Sequence, residues 1–149
     1  MSSFHDQLQN DLNEAVRQGD EARKSALRVL TSAIHYAEIE NGKPLADDQA
    51  IGVIQRLVKQ RRESIALFEQ GGRADLVAKE QADLAVLQSY LPAQASREEI
   101  EAAAREAIAT TGASGPRDMG KVMAILRERF GASAEGSVLS EVTKGLLGA

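Results

Sequence analysis

Cysteine and tryptophan are absent from this chain, aromatic residues make up only 3% of it, and just three prolines interrupt its 149 residues. Without thiols there is no disulfide framework, no thiolate zinc site and no cysteine nucleophile. The shortage of rings leaves few platforms for stacking bases, so a core has to be built from Leu, Ile, Val, Ala and Met. No run approaches the ~18 apolar residues that a membrane span needs, and the N-terminal stretch MSSFHDQLQNDLNEAV carries neither a basic n-region nor an apolar h-region. These absences predict a soluble cytoplasmic protein with no membrane partner. An excess of positive charge is missing too: 18 Lys and Arg stand against 22 Asp and Glu, for a net charge of −4. Any nucleic-acid contact must therefore use a local patch.

What the chain has is helical periodicity. Phe4, Leu8, Leu12 and Val16 predict one apolar stripe on a first helix, after which Gly19 loosens the chain and Asp20 caps the next start. Leu27, Leu30, Ile34 and Ala37 form the inner face of a second helix that stops at Asn41 and Gly42. Asp47 is read as the cap of a third, carrying Ile51, Ile54, Val58, Ile65 and Phe68 to the pair Gly71 and Gly72. A fourth places Leu76, Leu84, Leu87 and Leu91 inward until Pro92. Four helices joined by short turns suggest antiparallel hairpins.

The segment LPAQAS, residues 91–96, is the best domain boundary, because Pro92 bars helix continuation and Ser96 with Glu99 makes a capping box. A helix at roughly 97–111 follows, with Ile100, Ala104, Ala107 and Ile108 inward. Pro116 suits the first turn of the next, where Met119, Val122, Met123, Leu126 and Phe130 share a side, and Gly131 ends it. Val138, Val142 and Leu146 serve a final helix. Period-two alternation is missing, so the fold class is all-α: an N-terminal helical domain of about four helices, 1–92, and a small C-terminal three-helix domain, 93–149.

Two glycine motifs invite functional readings. Gly115, Gly120 and Lys121 have the spacing of a phosphate loop, but Val122 stands where magnesium needs a Ser or Thr, and a helical pattern precedes the motif instead of a strand. A proline-initiated helix start accounts for the same residues. Gly112 and Gly115 have the Gly-x-x-Gly form of an RNA-clamping turn, yet that turn belongs to a mixed sheet and helix scaffold. Helix C-capping glycines explain it more simply.

Longer blocks carry a resemblance. GKVM near the C-terminus, a glycine hinge after Phe130 and a last helix ending in LL, together with ALRVLTSAIHYAEIE, VKQRRESIALFEQGGRADLVAKE and LQSYLP in that order, resemble the YqeY-like family over nearly the whole chain. The resemblance implies a relation to the tail of the B subunit of glutamine-dependent aminoacyl-tRNA amidotransferases, where a small helical domain contacts tRNA. It implies tRNA, an amidotransferase or another tRNA-processing protein as partners, and an association with carbon–nitrogen ligase activity that uses glutamine as amido donor. No active site is implied, since the family resembles the tail and lacks the subunit's kinase-like cradle. One departure matters: the family's hinge usually reads Gly, basic, Ala, Asp, Gly, basic, whereas this chain has Gly131, Ala132, Ser133, Ala134, Glu135, Gly136 and Ser137, without either basic residue. About two charge-assisted phosphate contacts are thereby lost.

The residues assigned to RNA phosphates are Arg117, Lys121 and Arg127 around the GKVM helix, with Lys59 and Arg62 on the third helix. Lys24, Arg28, Thr31 and His35 form a further polar ridge on the second helix, and such ridges are usually solvated faces. Arg61 falls amid apolar neighbours and needs a carboxylate, for which Glu38 and Glu80 are the candidates. His35 and Glu38 share a helix side but lack the further ligands of a metal site. No nucleophile, base and orienting residue come together, so neither catalysis nor a cofactor is expected. The competing reading is a helical protein–protein adaptor without RNA binding.

Overall fold

The computed structural model describes residues 4–148. The outer ends of the domain bounds, and the first three residues of the N-terminal stretch, lie outside them. Regular structure among the described residues is entirely helical: α1 (Phe4–Gln18), α2 (Glu21–Asn41), α3 (Asp47–Gln70), α4 (Ala74–Gln88), α5 (Arg97–Thr111), α6 (Met119–Phe130) and α7 (Gly136–Leu147). Single 3-10 turns at Pro116–Asp118 and Gly131–Ser133 lead into and out of α6. Contacts gather the chain into two compact units, one ending at Leu91 and the other beginning at Pro92.

In the N-terminal unit α2 packs against α1, α4 and α3, and α3 runs along α4. Leu8, Leu27, Leu30, Ile34, Ile54 and Leu87 are almost completely buried there. Each such side chain contributes about 1.5–3 kcal/mol of burial, and packing of this kind supplies most of the stability of helices in a folded protein. Turn chemistry sets the boundaries. The Asp20 carboxylate accepts from the Arg23 amide at 3.1 Å to start α2, and Gly42, at φ 75°, closes it by donating to the Glu38 carbonyl. Tyr90, just past α4, donates to Asp11 Oδ2 at 2.6 Å and meets Phe4 edge to face, tying this end of the unit to α1.

In the C-terminal unit, Ala103, Ala104 and Ala107 let α5 approach α6 and α7 closely over Ile100, Val122, Leu126, Leu139 and Val142. Ser96 Oγ accepts from the Glu99 amide at 3.1 Å to start α5. Gly112 ends it at φ 69°. The segment before α5 is laid on the turn after α6: the Ala95 amide donates to the Ser133 carbonyl at 2.8 Å, and Gln94 Nε2 donates to the Ala132 carbonyl at 2.9 Å.

Two sequence expectations need correction. Val16 is 50% exposed, and Ala15 takes its place in the core. A strict four-residue repeat drifts about 40° per step against a 3.6-residue turn, so by Val16 the stripe has swung some 120° from Phe4. In α7 Leu139, Val142, Thr143 and Leu147 are buried, and Val138 and Leu146 are partly buried and pack against the same core. Asp47 is the first residue of α3 and not its cap; Ala46 holds the cap position, and its amide is satisfied by Gln49 Oε1 at 3.0 Å.

Candidate nucleic-acid interface

The Gly115–Lys121 segment is held by its own side chain. Asp118 Oδ2 accepts from the Ser114 amide at 3.0 Å, while Asp118 Oδ1 lies 3.8 Å from Lys121 Nζ. An anion in this turn would face the Asp118 carboxylate, and α5 stands where a phosphate loop needs a strand. Gly112 and Gly115 flank a helix end, with Gly112 left-handed and Gly115 extended. Neither glycine motif forms a clamp.

What these turns do is present cations. Arg117 lies in the 3-10 turn and Lys121 in the first turn of α6, both exposed. They are four residues apart, across the junction of the 3-10 turn and α6. Arg127 is also exposed, but helical geometry carries it about 120° from Lys121. It sits in the last turn, where positive charge also complements the helix dipole. Among the described residues, Arg117 and Arg127 make no ion pair. Arg129, by contrast, is committed to Glu106 at 3.1 Å and lies against the Phe130 ring, and Arg97 is shared between Glu101 and Glu141. Arg117 and Lys121 thus lie close in sequence at the start of α6, and Arg127 lies on another side of that helix.

Lys59 and Arg62 are exposed on α3, in the other unit. Arg61 turns inward between them, and Glu80 is its partner, with Arg61 Nη1 3.4 Å from Glu80 Oε2. That oxygen is fully buried and makes no aligned hydrogen bond. Asp83, one turn further along α4, is buried, with only 8% of it exposed. Burial, and then the charge of Glu80, push its carboxyl above the usual range, against the opposing pull of Arg61 and Lys79. Glu38 has a different role: one oxygen lies 3.6 Å from His5 Nδ1 and the other accepts from the Leu45 amide at 3.2 Å, which fixes the loop before α3. No group of three or more His, Asp or Glu that could hold a metal occurs among the described residues.

A groove of about 320 Å³ opens at the tip of the α3–α4 hairpin, walled by Phe68, Ala74, Val77 and Ala78. The cation on its rim, Arg73, is held by both oxygens of Asp75 at 3.2 and 3.1 Å, which pulls that carboxyl down. No convergent acid, base and nucleophile line it. Sequence reasoning missed two features. One is Asp83, disguised as a polar step between Ala82 and Leu84. The other is the exposed apolar trio Val29, Tyr36 and Ile39 on α2, which a separation of the helix into two faces would have revealed.

Comparison with known proteins bears on the whole chain. The Yqey-like protein family matches residues 5–147. The mitochondrial protein "altered inheritance of mitochondria protein 41" of Eremothecium gossypii is 40% identical over 100 residues, covering 65% of this chain and 55% of the relative. Its counterpart in Kluyveromyces lactis is 38% identical over 98 residues, covering 64% and 53%, and that in Saccharomyces cerevisiae is 36% identical over 85 residues, covering 56% and 46%. The chain spans about half the length of the curated relatives it matches. Their mitochondrial naming overturns the expectation of a cytoplasmic location. That expectation rested on the lack of secretory features, which does not discriminate, because mitochondrial transit segments are amphipathic and have no apolar h-region either. Since the family match takes in every helix from α1 to α7, the chain belongs to the Yqey-like protein family.

Proposed function

We propose that this chain is a non-catalytic tRNA-binding accessory module, related through α5–α7 to the tail of the amidotransferase B subunit. Its two units are, on this reading, separate domains of four and three helices. The observation that carries it is the cations at the start of α6: Arg117 without an ion pair among the described residues and Lys121 four residues on, near Asp118, both exposed. Arg127 extends the charge around the helix. Phosphate contacts of this kind position an RNA without reading its sequence, so recognition depends on the shape of the folded RNA. Partner proteins are an amidotransferase or another tRNA-processing enzyme, to which the chain contributes binding and not chemistry. The mitochondrial naming belongs to the relatives.

Filter binding of purified chain to tRNA across a salt series tests this reading. Three phosphate contacts give a log–log salt slope of about −2 to −3, and Arg117→Glu with Lys121→Glu lowers affinity at least tenfold. Affinity for tRNA no greater than for random RNA, or indifference to the double charge reversal, overturns the reading.

A further inference from the structure

The core accounts for one side of α2, and the opposite side is not merely polar. Val29, Tyr36 and Ile39 are 39%, 70% and 62% exposed. They recur at i, i+7 and i+10, so with the exposed Ser32 between them they follow an a/d seam. The seam spans about 15 Å of helix and an arc of about 80°, facing away from Leu27, Leu30 and Ile34. Tyr36 is the one exposed aromatic residue among those described. A helix that needed only solubility gains nothing from a tyrosine, an isoleucine and a valine aligned there.

The borders of the seam differ in charge. Arg28 and His35 run along one edge, both exposed and without an ion-pair partner among the described residues. Lys24, on the same side, is occupied by Glu21 at 3.4 Å. Glu40 lies on the other edge. Apolar contacts along a/d positions with charge on the flanks are what one amphipathic helix presents to another.

We infer that the outward face of α2 is a docking surface for an amphipathic helix of a partner protein, one whose apolar seam is edged by carboxylates toward Arg28 and His35. A phosphate backbone is a poorer occupant, because Val29 and Ile39 offer it nothing and Glu40 repels it. A second copy packed antiparallel is poorer as well, because it would set Arg28 and His35 against themselves. The inference does not depend on tRNA binding, which uses other residues.

Fluorescence anisotropy of labelled designed peptides, about three heptads long with a leucine seam, tests it on the full chain. One peptide has glutamate flanks and a second has lysine flanks. Saturable binding of the glutamate peptide is expected, with at least tenfold preference over the lysine peptide. Tyr36→Glu should reduce it at least tenfold while helical circular dichroism and tRNA affinity stay unchanged. Arg28→Glu combined with His35→Glu should reverse the preference toward the lysine peptide, a gain that misfolding cannot produce. Equal binding of both peptides, no saturable binding, or loss of tRNA affinity in Tyr36→Glu overturns the inference. So does concentration-dependent dimerisation of the free chain that Tyr36→Glu abolishes, since that assigns the face to a second copy.

Discussion

Arg61 faces two carboxylates, and this imbalance makes an asymmetric prediction. Breaking a buried ion pair by removing one member costs roughly 3–5 kcal/mol when both are fully enclosed. Here the side chains of Arg61 and Glu80 are 21% and 16% exposed, so water screens part of the loss and about 2–3 kcal/mol is the expected cost of Arg61→Met. That substitution leaves the buried Asp83 beside Glu80, with Lys79 the remaining cation that lowers its carboxyl. Glu80→Gln should cost about 1 kcal/mol, because Asp83 still compensates the guanidinium and loses its repulsive neighbour.

The pH dependence follows from Asp83. Its folded-state pKa is raised above that of the unfolded chain, chiefly by burial, so the folded protein binds this proton more tightly. The associated stability is fully present below the unfolded value and is lost as pH rises through the folded one. Arg61→Met removes a cation that opposes the shift, so its deficit should shrink as the pH is lowered from about 7 toward about 4. Urea unfolding followed by helical circular dichroism at several pH values measures both effects from the midpoint at constant slope. Equal costs for the two substitutions, or a deficit for Arg61→Met that stays flat with pH, refute the reasoning.

Thr143 is completely buried and its hydroxyl has no hydrogen-bond partner; Thr143→Val should stabilise the C-terminal unit by about 1 kcal/mol, and a lowered melting temperature would show that the hydroxyl is satisfied. Gly52 lies within α3 with open space where an alanine methyl would go, whereas Gly42 has φ 75°. Thermal melts should therefore separate Gly52→Ala, about 0.5–1 kcal/mol more stable, from Gly42→Ala, less stable by about 1 kcal/mol or more. Tyr90→Phe removes the hydrogen bond to Asp11 and should cost about 1.5 kcal/mol. Burial and that carboxylate push the Tyr90 phenol up to about 12, so the wild-type chain should lose stability as pH rises from about 10 through that value. A variant with the same alkaline decline would dissociate it from Tyr90.

Helix ends were legible wherever a side chain or a glycine enforces them. Ser96 and Gly112 bracket α5 at the residues expected, Arg97 to Thr111, because each performs its capping function locally. Inner faces were less legible. Short apolar side chains such as Ala15 count for little in a stripe drawn through large ones, yet Ala15 is fully buried while Val16 faces water. Polar core residues were invisible for the opposite reason: Thr143 and Asp83 are buried by neighbours on other helices, which no local pattern records. For the candidate interface, the cations could be picked out as exposed, but their grouping could not. Arg127 follows Lys121 closely in sequence and still lies on another side of α6, and Arg129 is consumed by Glu106, a partner 23 residues away.

The hinge after α6 works through its backbone. Between Gly131 and Ser137 this chain has no basic residue, and the side chains of Ala132 and Ser133 offer no cation. Their carbonyls are nevertheless engaged, receiving Gln94 and the Ala95 amide, and Ala134 is buried against the α5–α7 core. The turn's contribution here is therefore made by its backbone, which holds the segment leading into α5. Basic substitution at Ala132 would leave those backbone bonds intact, whereas Ala134 has no room for a longer chain. Under the tRNA reading, phosphate binding accordingly passes from the hinge to Arg117 and Lys121 at the other end of α6. A lysine introduced at Ala132 should then steepen the salt dependence of tRNA binding by about one unit, adding to the existing contacts and not restoring a lost function.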